Sequence, residues 1–146
     1  MAKRKISIGG DHAAPALKKA IKNDQRFSDV EWLDFGTHTE DSVDYPDFAH
    51  PTSEAVAKGE VELGILICGS GNGVAMTANK HQNVRAALSW NKDIARLARE
   101  HNNANMIALP ARFISEELAL DMVEIFLNTS FEGGRHARRV EKIACR

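Results

Sequence analysis

The fold is decided by one stretch of the sequence, Gly64-Ile65-Leu66-Ile67-Cys68-Gly69-Ser70-Gly71-Asn72-Gly73. Its first half is an apolar run of the length of a buried strand, and its second half is rich in glycine. A cysteine that ends a buried strand beside free backbone N–H groups suits chemistry on an anionic intermediate. The stretch therefore predicts a strand of a covered sheet that leads into a functional loop.

Short apolar runs alternate with longer helical patterns along the rest of the chain. The predicted strands cover residues 5–9, 30–35, 63–68, 84–89 and 105–109. The predicted helices cover residues 16–21, 46–56, 73–80, 91–101 and 116–126, with a last helix over 135–145. Five strands that alternate with helices indicate an α/β fold, in which a parallel sheet is covered by helices on both faces. We expect a single domain over residues 1–146.

Composition and charge exclude several classes of protein. The chain has 146 residues, 43% hydrophobic and 27% charged, and its net charge is −1, which argues against a nucleic-acid module that would use the C-terminal arginines. Its two cysteines, Cys68 and Cys145, lack the spacing of a metal site and indicate free thiols in a reducing compartment. No apolar run approaches the ~20 residues of a membrane span, and the N-terminus lacks a signal peptide. We expect a cytoplasmic protein without nucleic-acid or membrane partners.

Polar residues follow the first predicted strand as well as the third. In doubly wound sheets the ligand lies beyond the carboxyl ends of the strands, where the strand order reverses. If the order begins 2-1-3, Asp11 and His12 lie across that crevice from Cys68 and its loop. Asp11 has a second interpretation, as the cap of a following helix. A carboxylate beside an imidazole suits the binding of sugar hydroxyls and phosphate.

Two interpretations also remain open for the glycine-rich loop and its cysteine. The loop is either a tight turn or an anion-binding nest at a helix N-terminus, and three glycines in five residues favour the nest. Considered without its neighbours, Cys68 is most simply a small buried hydrophobic residue. Beside an anion nest and a helix N-terminus, it becomes a candidate thiolate.

Further polar residues could complete a site. His101 and Asn102 lie between a helix and the fifth strand, where they either cap the helix or donate a proton. Arg135 and Arg139 are four residues apart on one helix face, where they either stay solvated or clamp a phosphate. The polar loop over residues 36–45 is either solvated or part of the site rim.

These motifs closely resemble type B ribose-5-phosphate isomerase, of the family that also includes galactose-6-phosphate and allose-6-phosphate isomerases. The resemblance covers nearly the whole chain, with six motifs in the same order. They are Gly9-Gly10-Asp11-His12-Ala13, Asp44-Tyr45-Pro46, Ile67 to Gly73, Ala78-Asn79-Lys80, Arg99-Glu100-His101-Asn102-Asn103 and Glu132-Gly133-Gly134-Arg135-His136.

The resemblance implies a Rossmann-like three-layer α/β/α sandwich and an aldose–ketose isomerase that needs no metal or other cofactor. It implies a homodimer or homotetramer with shared active sites, in which the C-terminal helix (about 134–146) contributes to the site or the interface. Cys68 would be the base, His101 with Asp11 would open the furanose ring, and Ser70 would shuttle a proton. The substrate-binding set implied by the resemblance is Asp11, His12, Gly69, Ser70, Gly71, Asn72, Gly73, Asn102, Arg112, Arg135 and Arg139.

Within that set, the loop 69–73 and Asn102 would hold the enediolate oxygens. The phosphate would be bound by His12, Arg112, Arg135 and Arg139, some of them from the neighbouring subunit. One branch of the family lacks the cysteine and uses a glutamate just after the loop. Val74 stands at that position here, so this chain should depend on Cys68.

The expected reaction is the interconversion of ribose 5-phosphate and ribulose 5-phosphate. A first alternative is the isomerisation of a six-carbon sugar phosphate, such as allose or galactose 6-phosphate, or of a free sugar. A second is a non-catalytic sugar-phosphate sensor, although a sensor needs neither Cys68 nor His101. The resemblance leaves open which protomer supplies which arginine.

Overall fold

The structure, a computed structural model, describes residues 3–144 and contains one sheet of five parallel strands. The strands are β1 (Arg4–Gly10), β2 (Val30–Asp34), β3 (Leu63–Cys68), β4 (Ala86–Leu88) and β5 (Met106–Pro110). The helices are α1 (Pro15–Asn23), α2 (Pro46–Ala57), α3 (Asn72–Ala78), α4 (Lys92–Glu100), α5 (Glu116–Asn128) and α6 (Arg135–Glu141). The predicted α/β fold with a five-stranded parallel sheet is confirmed.

Strand β3 lies at the centre of the sheet because it is apolar on both faces. All six of its residues are buried, and the strand order is β2-β1-β3-β5-β4. Its side chains alternate, so that Ile65 and Ile67 pack into one core cluster and Leu66 and Cys68 into another. A strand of this kind must be covered on both sides.

The two core clusters give the fold its three layers. One face of the sheet packs against apolar side chains of α1, α4 and α5, among them Ile21, Ala98 and Phe126. The other face packs against α2 and α3 through Val56 and Val74. The Rossmann-like α/β/α sandwich is therefore present, with Cys68 on the α2–α3 face.

Local sequence signals account for most helix ends. Pro46 occupies the first turn of α2, where its missing N–H costs nothing. Ser115 caps α5, because its hydroxyl accepts a hydrogen bond from the Leu118 N–H at 3.1 Å. Helix α6 ends at Glu141, earlier than the prediction over 135–145, and Cys145 lies outside the described residues.

The strand order determines which loops can meet. It begins 2-1-3, so the carboxyl ends of β1 and β3 are neighbours, as the crevice argument required. Helix α4 runs back across the sheet and ends before β5 begins, so its last residues lie at the opposite edge. Over residues 3–144, no helix combines the length and apolar character needed to cross a bilayer.

Candidate active site

The carboxyl edge of the sheet brings together the motifs that follow β1 and β3. The backbone N–H of Asp11 donates to the carbonyl of Ile67 at 3.2 Å, which joins the two strand ends directly. The Asp11 side chain is buried and accepts a hydrogen bond from the Ala13 N–H at 2.9 Å. Asp11 therefore forms a short side-chain turn ahead of α1, so one of its carboxylate oxygens has a structural role.

Cys68 lies at the tip of β3 with its sulfur turned toward the glycine-rich loop. Its Sγ accepts a hydrogen bond from the backbone N–H of Gly71 at 3.1 Å. The residue is 5% exposed and packs with the α2–α3 core cluster. A buried sulfur that receives an N–H is a better carrier of negative charge than one surrounded by hydrocarbon alone.

The loop itself has the backbone shape that its glycines allow. Gly71 adopts φ +78°, in the left-handed region, and precedes α3 directly. Ser70 and Asn72 are exposed, and the Ser70 hydroxyl accepts a hydrogen bond from the Asn72 N–H at 3.3 Å. The loop thus presents a hydroxyl and a helix N-terminus beside the buried thiol.

The polar loop over residues 36–45 packs against both halves of this edge. The backbone N–H of Val43 donates to Nδ1 of His12 at 3.2 Å, which orients that imidazole. The Tyr45 ring lies against Gly73 so closely that a Cβ there would be 2.5 Å from it. Of the two interpretations of this loop, the contacts favour the site rim. The sequence carried no pattern that pairs Tyr45 with Gly73.

Arg112 adds a cation to the same edge. Its backbone N–H donates to the carbonyl of Gly69 at 3.0 Å, and its guanidinium covers Gly69. The Arg112 side chain is exposed beyond that contact. An anion that binds at the glycine-rich loop would therefore meet a positive charge there.

The remaining candidates lie at the opposite, amino edge of the sheet. His101 follows α4, and Asn102 lies in the turn before β5. The strand register pairs Gly64 with Met106 and Cys68 with Pro110. Cys68 therefore lies four residues, about 13 Å, beyond the level at which β5 begins.

Helix α6 brings the two predicted arginines to that amino edge. Its His136 ring stacks on the His101 ring with centroids 4.2 Å apart. Arg135 and Arg139 flank His136 on the same short helix and are exposed. One chain thus carries two half-sites. The carboxyl half holds Cys68, Asp11, His12, Arg112 and the loop 69–73, and the amino half holds His101, Asn102, Arg135 and Arg139.

Two arginines hold the turn that carries His101 and Asn102. Arg99 donates to the carbonyls of Ala104 at 2.5 Å and Thr129 at 3.0 Å, and Arg85 donates to the carbonyl of Asn103 at 2.8 Å. Burial lowers the pKa of both guanidiniums from their ordinary value. Sequence reasoning missed these supporting residues, although Arg99 stands in one of the quoted motifs.

Within residues 3–144, His101, Glu132 and His136 form the one group that could hold a metal ion. Their ligand atoms lie within 4.8 Å of one another. The cations Arg135 and Arg139 act on His136 from the same helix, and this weakens the attraction of the group for a positive ion.

Comparison with known proteins identifies the family of this chain. The sequence model of the ribose/galactose isomerase family matches residues 6–143. The ribose-5-phosphate isomerase B of Escherichia coli is 41% identical over 140 residues, which are 96% of this chain and 94% of that protein.

Solved structures show the same likeness. A ribose 5-phosphate isomerase from Thermotoga maritima superposes with a TM-score of 0.92 at 48% identity, over 96% of this chain and 97% of that one. The ribose-5-phosphate isomerase B of Mycoplasma genitalium, solved with bound ribulose 5-phosphate, gives a TM-score of 0.92 at 41% identity, over 98% of this chain and 95% of that one.

These findings show the class of the protein, which is an isomerase. The chain belongs to the ribose/galactose isomerase family. The resemblance inferred from the six sequence motifs is confirmed.

Proposed function

We propose that this protein interconverts D-ribose 5-phosphate and D-ribulose 5-phosphate through an enediolate, with Cys68 as the base. The observation that carries the proposal is the position of the Cys68 sulfur, at the end of a central strand and 3.1 Å from the Gly71 N–H. The names of the relatives from Escherichia coli and Mycoplasma genitalium support the same substrate pair.

The chemistry needs a base and a stabilised oxyanion. The Cys68 thiolate takes the proton from C2 of the open-chain aldose, and the electron pair of that C–H bond moves to form the C1–C2 double bond. The carbonyl oxygen on C1 then carries the negative charge, which the N–H groups of the loop 69–73 and the Asn102 amide stabilise. The thiol returns the proton to C1, while the Ser70 hydroxyl passes the O2 proton to O1.

Ring opening and phosphate binding prepare that step. His101 donates a proton to the furanose ring oxygen as the C1–O4 bond breaks, and Asp11 accepts the proton of the anomeric hydroxyl, so that C1 becomes the aldehyde carbon. The phosphate is bound by His12, Arg112, Arg135 and Arg139. A phosphate anchored at the far end orients C1 and C2 and contributes binding energy.

The position of the two half-sites supports a shared active site. Cys68 lies about 13 Å along the sheet from Met106, where β5 begins, and His101 precedes that strand, so one ribose ring cannot bridge the two residues of a single chain. A second copy, placed so that its amino half faces the carboxyl half of the first, completes each site. We therefore propose a homodimer or homotetramer, with His101, Asn102, Arg135 and Arg139 supplied by the partner subunit. A free thiol at Cys68 fits a reducing compartment such as the cytoplasm.

Six-carbon sugar phosphates are the second candidate substrates. The family description covers ribose and galactose isomerases, which favours this alternative over a sensor. A panel of ribose, allose and galactose phosphates, assayed at equal concentration, separates the candidates. Greater kcat/KM for a hexose phosphate would overturn the assignment to ribose 5-phosphate.

The test of the mechanism is the Cys68→Ala variant. We expect kcat for ribose 5-phosphate to fall by about 10³-fold or more, because the variant lacks the proposed base. KM should change little, since the phosphate contacts remain. The matched control is Cys145→Ala, which removes the other thiol and should keep wild-type turnover. Wild-type turnover by Cys68→Ala would exclude Cys68 as the base.

A further inference from the structure

The imidazoles of His101 and His136 form a parallel stack at the amino edge of the sheet. Their centroids are 4.2 Å apart and their planes differ by 14°. The His136 side chain is 10% exposed, whereas the His101 ring is only partly buried. His136 therefore packs as a buried ring against a residue that keeps part of its surface exposed.

Backbone hydrogen bonds hold the His136 ring in this position. The Glu132 N–H donates to the carbonyl of Glu100 at 3.0 Å, which ties the segment before α6 to the end of α4. The His136 N–H donates to the carbonyl of Gly133 at 3.1 Å and starts the helix. Both rings of the stack are thus carried by segments that bond directly to each other.

The surroundings of the His136 ring oppose its protonation. Burial lowers the pKa of His136 below its ordinary value, and the positive charges of His101, Arg135 and Arg139 lower it further. Glu132 opposes the shift with its carboxylate 3.7 Å away.

We propose that His136 is a positioning residue for His101, whose ring it fixes in the orientation that presents one nitrogen to the ring oxygen of the sugar. The inference rests on the proposed role of His101 in ring opening. An imidazole held by a flat, buried neighbour loses little rotational entropy when the substrate arrives. In this proposal His136 acts through His101.

Two substitutions separate stacking from other roles. His136→Ala removes the ring that stacks on His101, and we expect kcat for ribose 5-phosphate to fall about 10- to 100-fold with KM nearly unchanged. His136→Phe keeps a flat buried ring without nitrogens, and kcat should stay within about threefold of wild type. Thermal unfolding of both variants reports whether α6 remains folded.

A double-mutant cycle tests whether His136 acts through His101. In a His101→Ala background, adding His136→Ala should reduce kcat no further. Full additivity of the two losses would overturn the proposal. A His136→Phe variant as impaired as His136→Ala, or a His136→Ala variant with wild-type kcat, would overturn it as well.

A second reaction distinguishes failure of this inference from failure of the proposed function. Ribulose 5-phosphate cannot close to a furanose, because its C5 oxygen carries the phosphate. Exchange of its C1 hydrogen with D₂O, followed by NMR, therefore needs the base but no ring opening. We expect His136→Ala to keep this exchange near the wild-type rate. Loss of exchange in the variant alone would overturn the role of His136, and absence of exchange in the wild type would count against the proposed function.

Discussion

Gly71 donates its backbone N–H to the sulfur of Cys68 across 3.1 Å, three residues away in the same loop. The bond depends on the left-handed backbone of Gly71, at φ +78°. The position of the sulfur and the shape of the loop are therefore one structural feature, and a change to the glycine should disturb both.

Replacing Gly71 with alanine should lower both stability and activity. Left-handed backbone costs a residue with a side chain about 1–2 kcal/mol. The new Cβ would also lie 2.5 Å from Cδ1 of Leu88, and such overpacking costs about 1–3 kcal/mol more. Urea unfolding and turnover of ribose 5-phosphate measure the two effects.

Gly59→Ala is the matched control for the Gly71 variant. Gly59 adopts φ +74° with nothing within 4 Å of the added Cβ, so only the backbone cost applies. It should lose about 1–2 kcal/mol of stability and keep wild-type kcat. Equal effects of the two substitutions on kcat would mean that the loop geometry does not matter for catalysis.

Mixing two inactive variants should restore activity. In the proposed homodimer, Cys68→Ala and His101→Asn would each disable both sites when the variant assembles with itself. After unfolding and refolding together, half of the dimers are mixed and each contains one intact site, so activity should recover to about a quarter of wild type. No recovery, with mixed dimers demonstrated by mass spectrometry, would mean that Cys68 and His101 act within one chain.

Gly73 and Tyr45 should show coupled effects on stability. Gly73→Ala places a Cβ 2.5 Å from the Tyr45 ring, and we expect a loss of about 1–3 kcal/mol as the ring is displaced. In a Tyr45→Ala background the same substitution should cost much less, because the ring is gone. Additive losses in thermal unfolding would show that the glycine is needed for its backbone alone.

Asp34 should make the fold sensitive to acid. Burial alone would raise the pKa of this carboxyl, but hydrogen bonds from Lys18, Lys22 and the Gly36 N–H lower it below its ordinary value. The carboxylate therefore stabilises the protein at neutral pH, and this contribution is lost as the pH falls below about 4.

Urea unfolding between about pH 2 and 7 tests the role of Asp34. Asp34→Asn should be less stable than wild type at pH 7, and the gap should close toward low pH. Asp41→Asn, at an exposed position of the loop 36–45, is the control and should follow the wild-type curve. A gap of constant size across the range would contradict the role of the Asp34 charge.

Most of the fold follows from patterns that act over short distances. The apolar run of β3, the proline that begins α2 and the serine that caps α5 each report a local preference, and each prediction is confirmed. The position of β5 between β3 and β4 was not predicted, because loops of those lengths permit either strand to lie beside β3.

For the site as well, features set by the fold class could be predicted, and features set by tertiary packing could not. Residues at the carboxyl ends of β1 and β3 could be placed together from the fold class, because parallel strands end at one edge. The stack of His101 on His136 and the contact of Tyr45 with Gly73 could not be predicted. Each joins residues about thirty positions apart through tertiary packing, which leaves no periodic pattern in the sequence.

The separation of Cys68 and His101 on one sheet has a consequence in the cell. With the shared active site proposed above, a newly synthesised polypeptide would perform no chemistry until it meets another copy. Specific activity should then fall when the enzyme is diluted below its self-association constant. The reactive enediolate would then never form on an unassembled subunit.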